Sequence, residues 1–350
     1  MRLRSRGLFL ALVLLSLTVT CTGIPAAAQQ QPDPTAGHVP LPESASPPAG
    51  QPAPSPAQTK GGEPSETNNG VFVFKKKVEE VVLHATVVDQ KQRLITDLGR
   101  EAFTVFEDGK PQQLTSFRRE DIPVALGIVI DNSGSMRDKR AAVNQAAINL
   151  VRASNPNDQV FIVNFNDESY LDQDFTSDIN KLKEGLDHIE SRGGTALYDA
   201  IVAAADHLAK GATLDKKVLL VVTDGEDNAS RESLEQTVRR LQEGDGPSVY
   251  SIGILGDDRD ARRAKRALTA LALQTGGVAF FPKDVGEVDN ISRAVAHDLR
   301  NQYTLGYKPT NPQSNGGYRS VHVEAHSGGY GKLQVRTRTG YYAGQERAAK

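Results

Sequence analysis

Apolar and polar positions change rhythm twice along this chain. From Val124 to Leu299, short apolar runs at Val124–Ile130, Val160–Phe165, Val218–Val222, Val249–Ile254 and Val278–Phe281 read as strands. Between them lie Ala141–Val151, the set Leu182, Leu186 and Ile189, the set Leu197, Ile201, Ala204 and Leu208, and then Leu234–Leu241, Ala264–Leu273 and Ile291–Leu299. These carry apolar residues at helical spacing. Continuous apolar strands need both faces shielded, so the pattern predicts an α/β domain: a mostly parallel sheet with helices on both faces. On either side the texture is that of strands, at Val71–Phe74, Val81–Val88 and Phe103–Phe106 before, and Tyr303–Tyr307, Tyr318–Val323 and Leu333–Arg336 after. Glu107-Asp108-Gly109-Lys110 is a hairpin turn, with Gln113–Arg118 as the returning strand. The simplest packing joins these flanking segments into one antiparallel β unit beside the central domain.

The N-terminus changes the picture of where the chain works. Arg2, Arg4 and Arg6 precede an apolar run, Leu8–Val19, and Ala26-Ala27-Ala28 follows as a small-residue exit. That is the layout of a secretory signal peptide. The run falls short of the roughly 20 apolar residues a spanning helix needs. The expectation is an exported protein: periplasmic, cell-envelope associated or secreted. Thr18 stands where a lipid-attachment motif before Cys21 carries Leu, so membrane association is expected only through an anchor and not through a spanning helix of the mature chain. Cleavage after Ala28 removes the single cysteine, which leaves no disulfide to form. It also removes three arginines, making a chain of net charge −2 more acidic. Such a protein has no electrostatic reason to seek nucleic acid. The division expected is a signal peptide over 1–28, a Pro/Gln/Ser-rich disordered linker over 29–70, a β segment over 71–120, the α/β domain over 121–302, a second β segment over 303–343 and a tail over 344–350.

Candidate chemistry gathers at one edge of the predicted sheet. Asp131 ends the first α/β strand and is followed by Ser133 and Ser135; Thr195 comes after Gly193-Gly194; Asp224 follows the strand Val218–Val222. In an open α/β sheet, ligands sit beyond the carboxyl ends of the strands, and all three loops belong to that solvent-facing edge. Their oxygens suit one hard divalent cation, Mg²⁺ first, with Ca²⁺ or Mn²⁺ as alternatives. The set has too few protein ligands to enclose the ion, so a further ligand is required. Helix capping by Asp and Ser explains the first loop alone but not the convergence of three.

Asp131-Asn132-Ser133-Gly134-Ser135, Thr195 and Asp224 resemble the metal-ion-dependent adhesion site of von Willebrand factor type A domains, over about Pro123–Arg300. Gly193-Gly194-Thr195-Ala196-Leu197-Tyr198-Asp199 is similar to the bacterial form of the second motif. The flanks, Phe103-Thr104-Val105-Phe106-Glu107-Asp108-Gly109, Tyr303-Thr304-Leu305-Gly306-Tyr307 and Arg338-Thr339-Gly340-Tyr341-Tyr342, resemble a narrower group of exported bacterial proteins carrying this domain. The resemblance implies a Rossmann-like fold and cation-dependent binding of a protein ligand whose Asp or Glu carboxylate completes the shell. It implies no catalysis. Asp199 is a candidate to orient Thr195 or a water, with a plain surface carboxylate of the helix as the alternative; Asp227 and Asn228 are candidates for the rim, but turn and cap roles are the preferred reading of both.

Enzymatic readings fail on particular residues. An aspartyl-phosphate mechanism wants a second carboxylate two positions after Asp131, where Ser133 stands; a Ca²⁺-binding helix-loop-helix wants Glu where Ala142 stands. No histidine adjoins the three motifs, and no phosphate-cradling glycine loop with a lysine is present. The alternatives to adhesion are a scaffold whose metal is purely structural and, behind it, a metal-dependent hydrolase or phosphatase.

Overall fold

The computed structural model describes residues 80–119, 121–187 and 191–344. The signal peptide read over 1–28, the linker over 29–70, the run Val71–Phe74, Ile189 and the tail from 345 lie outside the described residues. Four strands come first: β1 (Val81–Val88), β2 (Phe103–Glu107), β3 (Lys110–Gln112) and β4 (Leu114–Arg118). Asp108 and Gly109 take positive φ of 48° and 73°, as a two-residue hairpin requires, so Lys110 pairs at once with Glu107. The returning strand is therefore Lys110–Gln112. The sequence expectation of Gln113–Arg118 is corrected: Leu114–Arg118 leaves the hairpin and pairs with a later strand.

The central region alternates as its apolar pattern predicts. It comprises β5 (Val124–Asp131), α1 (Arg140–Ala153), β6 (Gln159–Phe165), β7 (Ser169–Thr176), α2 (Ile179–Asp187), α3 (Leu197–Gly211) and β8 (Lys216–Thr223). Then follow α4 (Leu234–Leu241), β9 (Ser248–Gly253), α5 (Arg259–Thr275), β10 (Ala279–Phe280) and α6 (Val288–Arg300). The strands make one six-stranded sheet in the order β10-β9-β8-β5-β6-β7. All pairings are parallel except that of the outermost strand β7 with β6. Every residue of β5 is buried, because α1, α2 and α6 cover one face of the sheet and α3, α4 and α5 the other. Each buried Val, Leu or Ile contributes about 1.5–3 kcal/mol. Gly127 interrupts the apolar run for a steric reason: a Cβ there would lie 2.3 Å from Phe161 Cζ and 2.7 Å from Leu219 Cδ2.

After α6 the chain returns to strands: β11 (Tyr303–Tyr307), β12 (Gly317–Ala325), β13 (Gln334–Arg336) and β14 (Gly340–Ala343). They interleave with the opening strands as two four-stranded sheets, β13-β1-β11-β4 and β14-β12-β2-β3. The antiparallel unit is thus built from both ends of the chain, around a shared core that includes Leu83, Val105, Tyr303 and Leu305. Buried Glu107 fastens the two sheets together, accepting from Tyr307 Oη at 2.7 Å and Tyr341 Oη at 2.8 Å. Gln302 joins this unit to the α/β core by donating to both Thr86 Oγ1 and Tyr250 Oη. Among the described residues no helix is long and apolar enough to cross a membrane.

Candidate functional site

The sheet order places β5 between β6 and β8. The chain leaves β5 through α1 on one face and reaches β8 through α3 on the other. Strand order therefore reverses at the carboxyl ends of β5 and β8, where open α/β sheets bind ligands. Asp131 is the last residue of β5, and Asp224 directly follows the end of β8.

Asp131 lies deeper than a solvent-facing edge would place it. It has no exposed surface, and its carboxylate accepts from Ser133 N at 2.7 Å and from Thr223 Oγ1 at 2.6 Å. Burial pushes its pKa up, opposed by those hydrogen bonds and reinforced by the nearby charge of Asp224. From there a chain of oxygens runs outward. Ser133 Oγ is 3.2 Å from Ser135 Oγ, and Ser135 Oγ donates to Asp224 Oδ1 at 2.8 Å. Ser135 is exposed, whereas Ser133 is buried. Met136 turns inward and is fully buried, so it packs rather than binds.

Thr195 arrives from the opposite side. Its loop is stitched to the first one by Arg192 N to Asn132 O at 3.0 Å and by Gly134 N to Gly193 O at 3.4 Å. Both glycines are needed for this approach. Gly193 has φ of +79°, and a Cβ at Gly194 would meet Asp167 Oδ1 at 2.7 Å and Asn228 Oδ1 at 2.8 Å. Thr195 Oγ1 faces the third loop, since a Cβ on Gly225 would stand 3.7 Å from it. Ser135, Thr195 and Asp224 line one cavity of about 410 Å³, which Glu226, Asp258 and Arg263 also line. All five residues singled out from the sequence thus meet at one edge.

Asp227 and Asn228, the two rim candidates, line that cavity and also bond to neighbouring backbone, as Asp199 does. Asp199 holds the loop before α4, accepting from Arg231 N at 3.1 Å and Glu232 N at 3.0 Å. Asp227 caps α3 from outside the helix, accepting from Tyr198 N at 3.0 Å. Asn228 Oδ1 accepts from Thr195 N at 2.9 Å and so fixes the Thr195 backbone. Asp258 caps α5 through Ala261 N at 2.7 Å.

Sequence reading passed over three residues at this edge. Thr223 stood out only as the residue before Asp224, yet its hydroxyl donates to Asp131. Arg140 sits buried below the site, donating to Asp131 O at 3.2 Å and to the Asn164 side chain. Lys139 Nζ lies 2.5 Å from Asp224 Oδ2. One signal was available for the last two. Lys and Arg open α1, where the helix dipole disfavours positive charge, and no acidic residue stands in its first turn.

The donor set fits a hard divalent cation. Two carboxylates and three hydroxyls converge from loops that hold one another in place, and a cationic group, the Lys139 ammonium, already rests on Asp224. Among the described residues no group of three His, Cys, Asp or Glu side chains could hold a metal by itself. Binding here would draw on the hydroxyls.

Residues 126–226 match the family model of the von Willebrand factor type A domain, so the chain contains a domain of that type. Inter-alpha-trypsin inhibitor heavy chain H4 of Bos taurus is 27% identical over 173 residues, covering 45% of this chain and 18% of that protein. Its whole length is thus far from spanned. Among solved structures, a von Willebrand factor type A protein from Catenulispora acidiphila is similar with TM-score 0.44 and 16% identity, over 76% of this chain and 75% of that one. The von Willebrand factor domain of a type V pili tip protein from Porphyromonas gingivalis is similar with TM-score 0.42 and 14% identity, over 51% of this chain and 97% of that one.

Proposed function

We propose that this von Willebrand factor type A domain is an exported, cation-dependent protein-binding module, serving adhesion or scaffolding. The supporting observation is the convergence of Asp131, Ser133, Ser135, Thr195 and Asp224 where strand order reverses. These five residues would hold a Mg²⁺ ion, or Ca²⁺ or Mn²⁺, through side-chain oxygens. When bound, the ion supplies an electrophilic position that an Asp or Glu carboxylate of a protein ligand can fill. The protein's own contribution is to keep that position accessible. Asp131 is locked by Thr223 and the Ser133 amide, Thr195 is locked by Asn228, and the adjoining cavity of about 410 Å³ leaves room for an incoming side chain. The resemblance carries binding and no catalysis, and the signal-like N-terminus supports action outside the cytoplasm.

The experiment is a pull-down from an envelope fraction with and without chelator, paired with thermal melts of the same samples. Chelation should abolish capture of the ligand while shifting the melt little. Unfolding on chelation would instead make the ion a structural element of the fold.

A further inference from the structure

We propose that Lys139 is a built-in counter-cation of this site, so that a divalent ion binds only by displacing its ammonium from Asp224. This deepens the metal-site reading and rests on it. Lys139 Nζ lies 2.5 Å from Asp224 Oδ2 and 3.2 Å from the main-chain oxygen of Ser135. Ser135 Oγ takes the other carboxylate oxygen, Asp224 Oδ1, at 2.8 Å. Both oxygens of Asp224 are therefore engaged, and its side chain is only 1% exposed against 32% for Lys139. The carboxylate is fixed, and the lysine is the partner free to swing into solvent.

Local structure gives no other reason for a lysine here. Lys139 occupies the N-cap of α1 without a capping hydrogen bond from its side chain, and Arg140 follows it. Ser, Thr, Asp or Asn would satisfy the free amides of that turn, and the helix dipole opposes positive charge there. A rule broken without gain to the helix points to the site. The two cations differ in what they can do. Arg140 is buried and committed to the Asp131 carbonyl and the Asn164 side chain, so it stays. Lys139 is the cation that can leave. Without a divalent ion, it offsets the charge of Asp224 and keeps the loops assembled. With one, two positive groups would compete for the same carboxylate, and the ammonium must move out. Lys139 thereby lowers cation affinity and raises the stability of the metal-free protein.

The test is Lys139→Met, which keeps much of the stem's apolar packing and removes the charge. Calorimetric titration with Mg²⁺ compares it with the wild type, and both are melted in chelator and in saturating Mg²⁺. The expected results are a Mg²⁺ affinity raised about tenfold or more, as loss of a charge-assisted competitor implies, and a Tm in chelator below that of the wild type. Saturating Mg²⁺ should close that gap. Binding seen in the variant alone also supports the proposal. A wild type that binds Mg²⁺ and a variant that binds it equally or more weakly would overturn this inference while leaving the metal site standing. If neither binds Mg²⁺, Mn²⁺ or Ca²⁺, the site reading falls and this inference falls with it.

Discussion

Replacing Asp131 separates the work of its charge from the work of its shape. Asp131→Ala removes the acceptor of Ser133 N and of Thr223 Oγ1 at a residue with no exposed surface. Each buried donor left unpaired costs about 1–3 kcal/mol, so the gross loss is about 2–6 kcal/mol. Relief of a buried charge, whose pKa burial has already pushed up, offsets part of this. Asp131→Asn behaves differently. Its amide oxygen still accepts from Ser133 N, and the Thr223 hydroxyl can donate instead to Gly225 O, which lies 3.4 Å away. In chelator the Asn variant should therefore unfold in urea within about 1 kcal/mol of the wild type. Its Mg²⁺ affinity should fall by at least about 100-fold, beyond the 10–100-fold that losing a merely supporting residue costs. Calorimetric titration with Mg²⁺ beside urea unfolding in chelator reads both quantities. An Asn variant that binds Mg²⁺ as the wild type does would refute the assignment of Asp131 as a ligand.

Other parts of the fold make their own demands. Gly127→Ala would drive a methyl group to 2.3 Å from Phe161 Cζ, and urea unfolding should show a loss of about 1–3 kcal/mol with Mg²⁺ affinity unchanged. Glu107→Ala strips the acceptor from two buried phenols, Tyr307 and Tyr341; thermal or urea melts should show about 2–5 kcal/mol lost, and a neutral result would mean the two sheets do not depend on this contact. Burial, with Lys216 and Arg338 close by, pushes the pKa of His84 from 6.5 down to about 3. The unfolded chain takes up a proton in that window that the folded protein refuses, so stability is full above pH 6.5 and declines toward about pH 3. His84→Gln should flatten that decline in urea titrations, and an unchanged slope would mean that His84 is not held neutral by the fold.

The parts of this fold that sequence made legible are those where burial dictates periodicity. β5, β6, β8 and β9 are buried on both faces, so their apolar runs are continuous and their bounds fall within a residue or two of the expected ones. α4 matches its expected span, Leu234–Leu241, because Ser233 and Gln236 form a capping box at its start. β7 was missed for the opposite reason. Ser169–Thr176 is an outermost strand with mostly exposed residues, held by backbone pairing to β6 that leaves no mark on its polarity. At the site, the residue types and their edge were readable, because loops following parallel strands collect there. The cap role of Asp227 was readable in kind, but its partner across the chain was not, and neither was that of Asp199. Each carboxylate reaches amides about thirty positions away along the chain, at Arg231 and Tyr198, and no local pattern announces such a partner. Lys139 was hidden similarly, since its meaning depends on Asp224 across the sheet edge.

The most direct measurement is the anomalous signal of a crystal soaked in Mn²⁺. A single peak is expected among the oxygens of Asp131, Ser133, Ser135, Thr195 and Asp224, at about 2.0–2.6 Å from those that bind directly, with Lys139 turned away from Asp224. A saturating soak that leaves no peak there, with the lysine still seated on the carboxylate, would contradict the metal site and the binding role built on it.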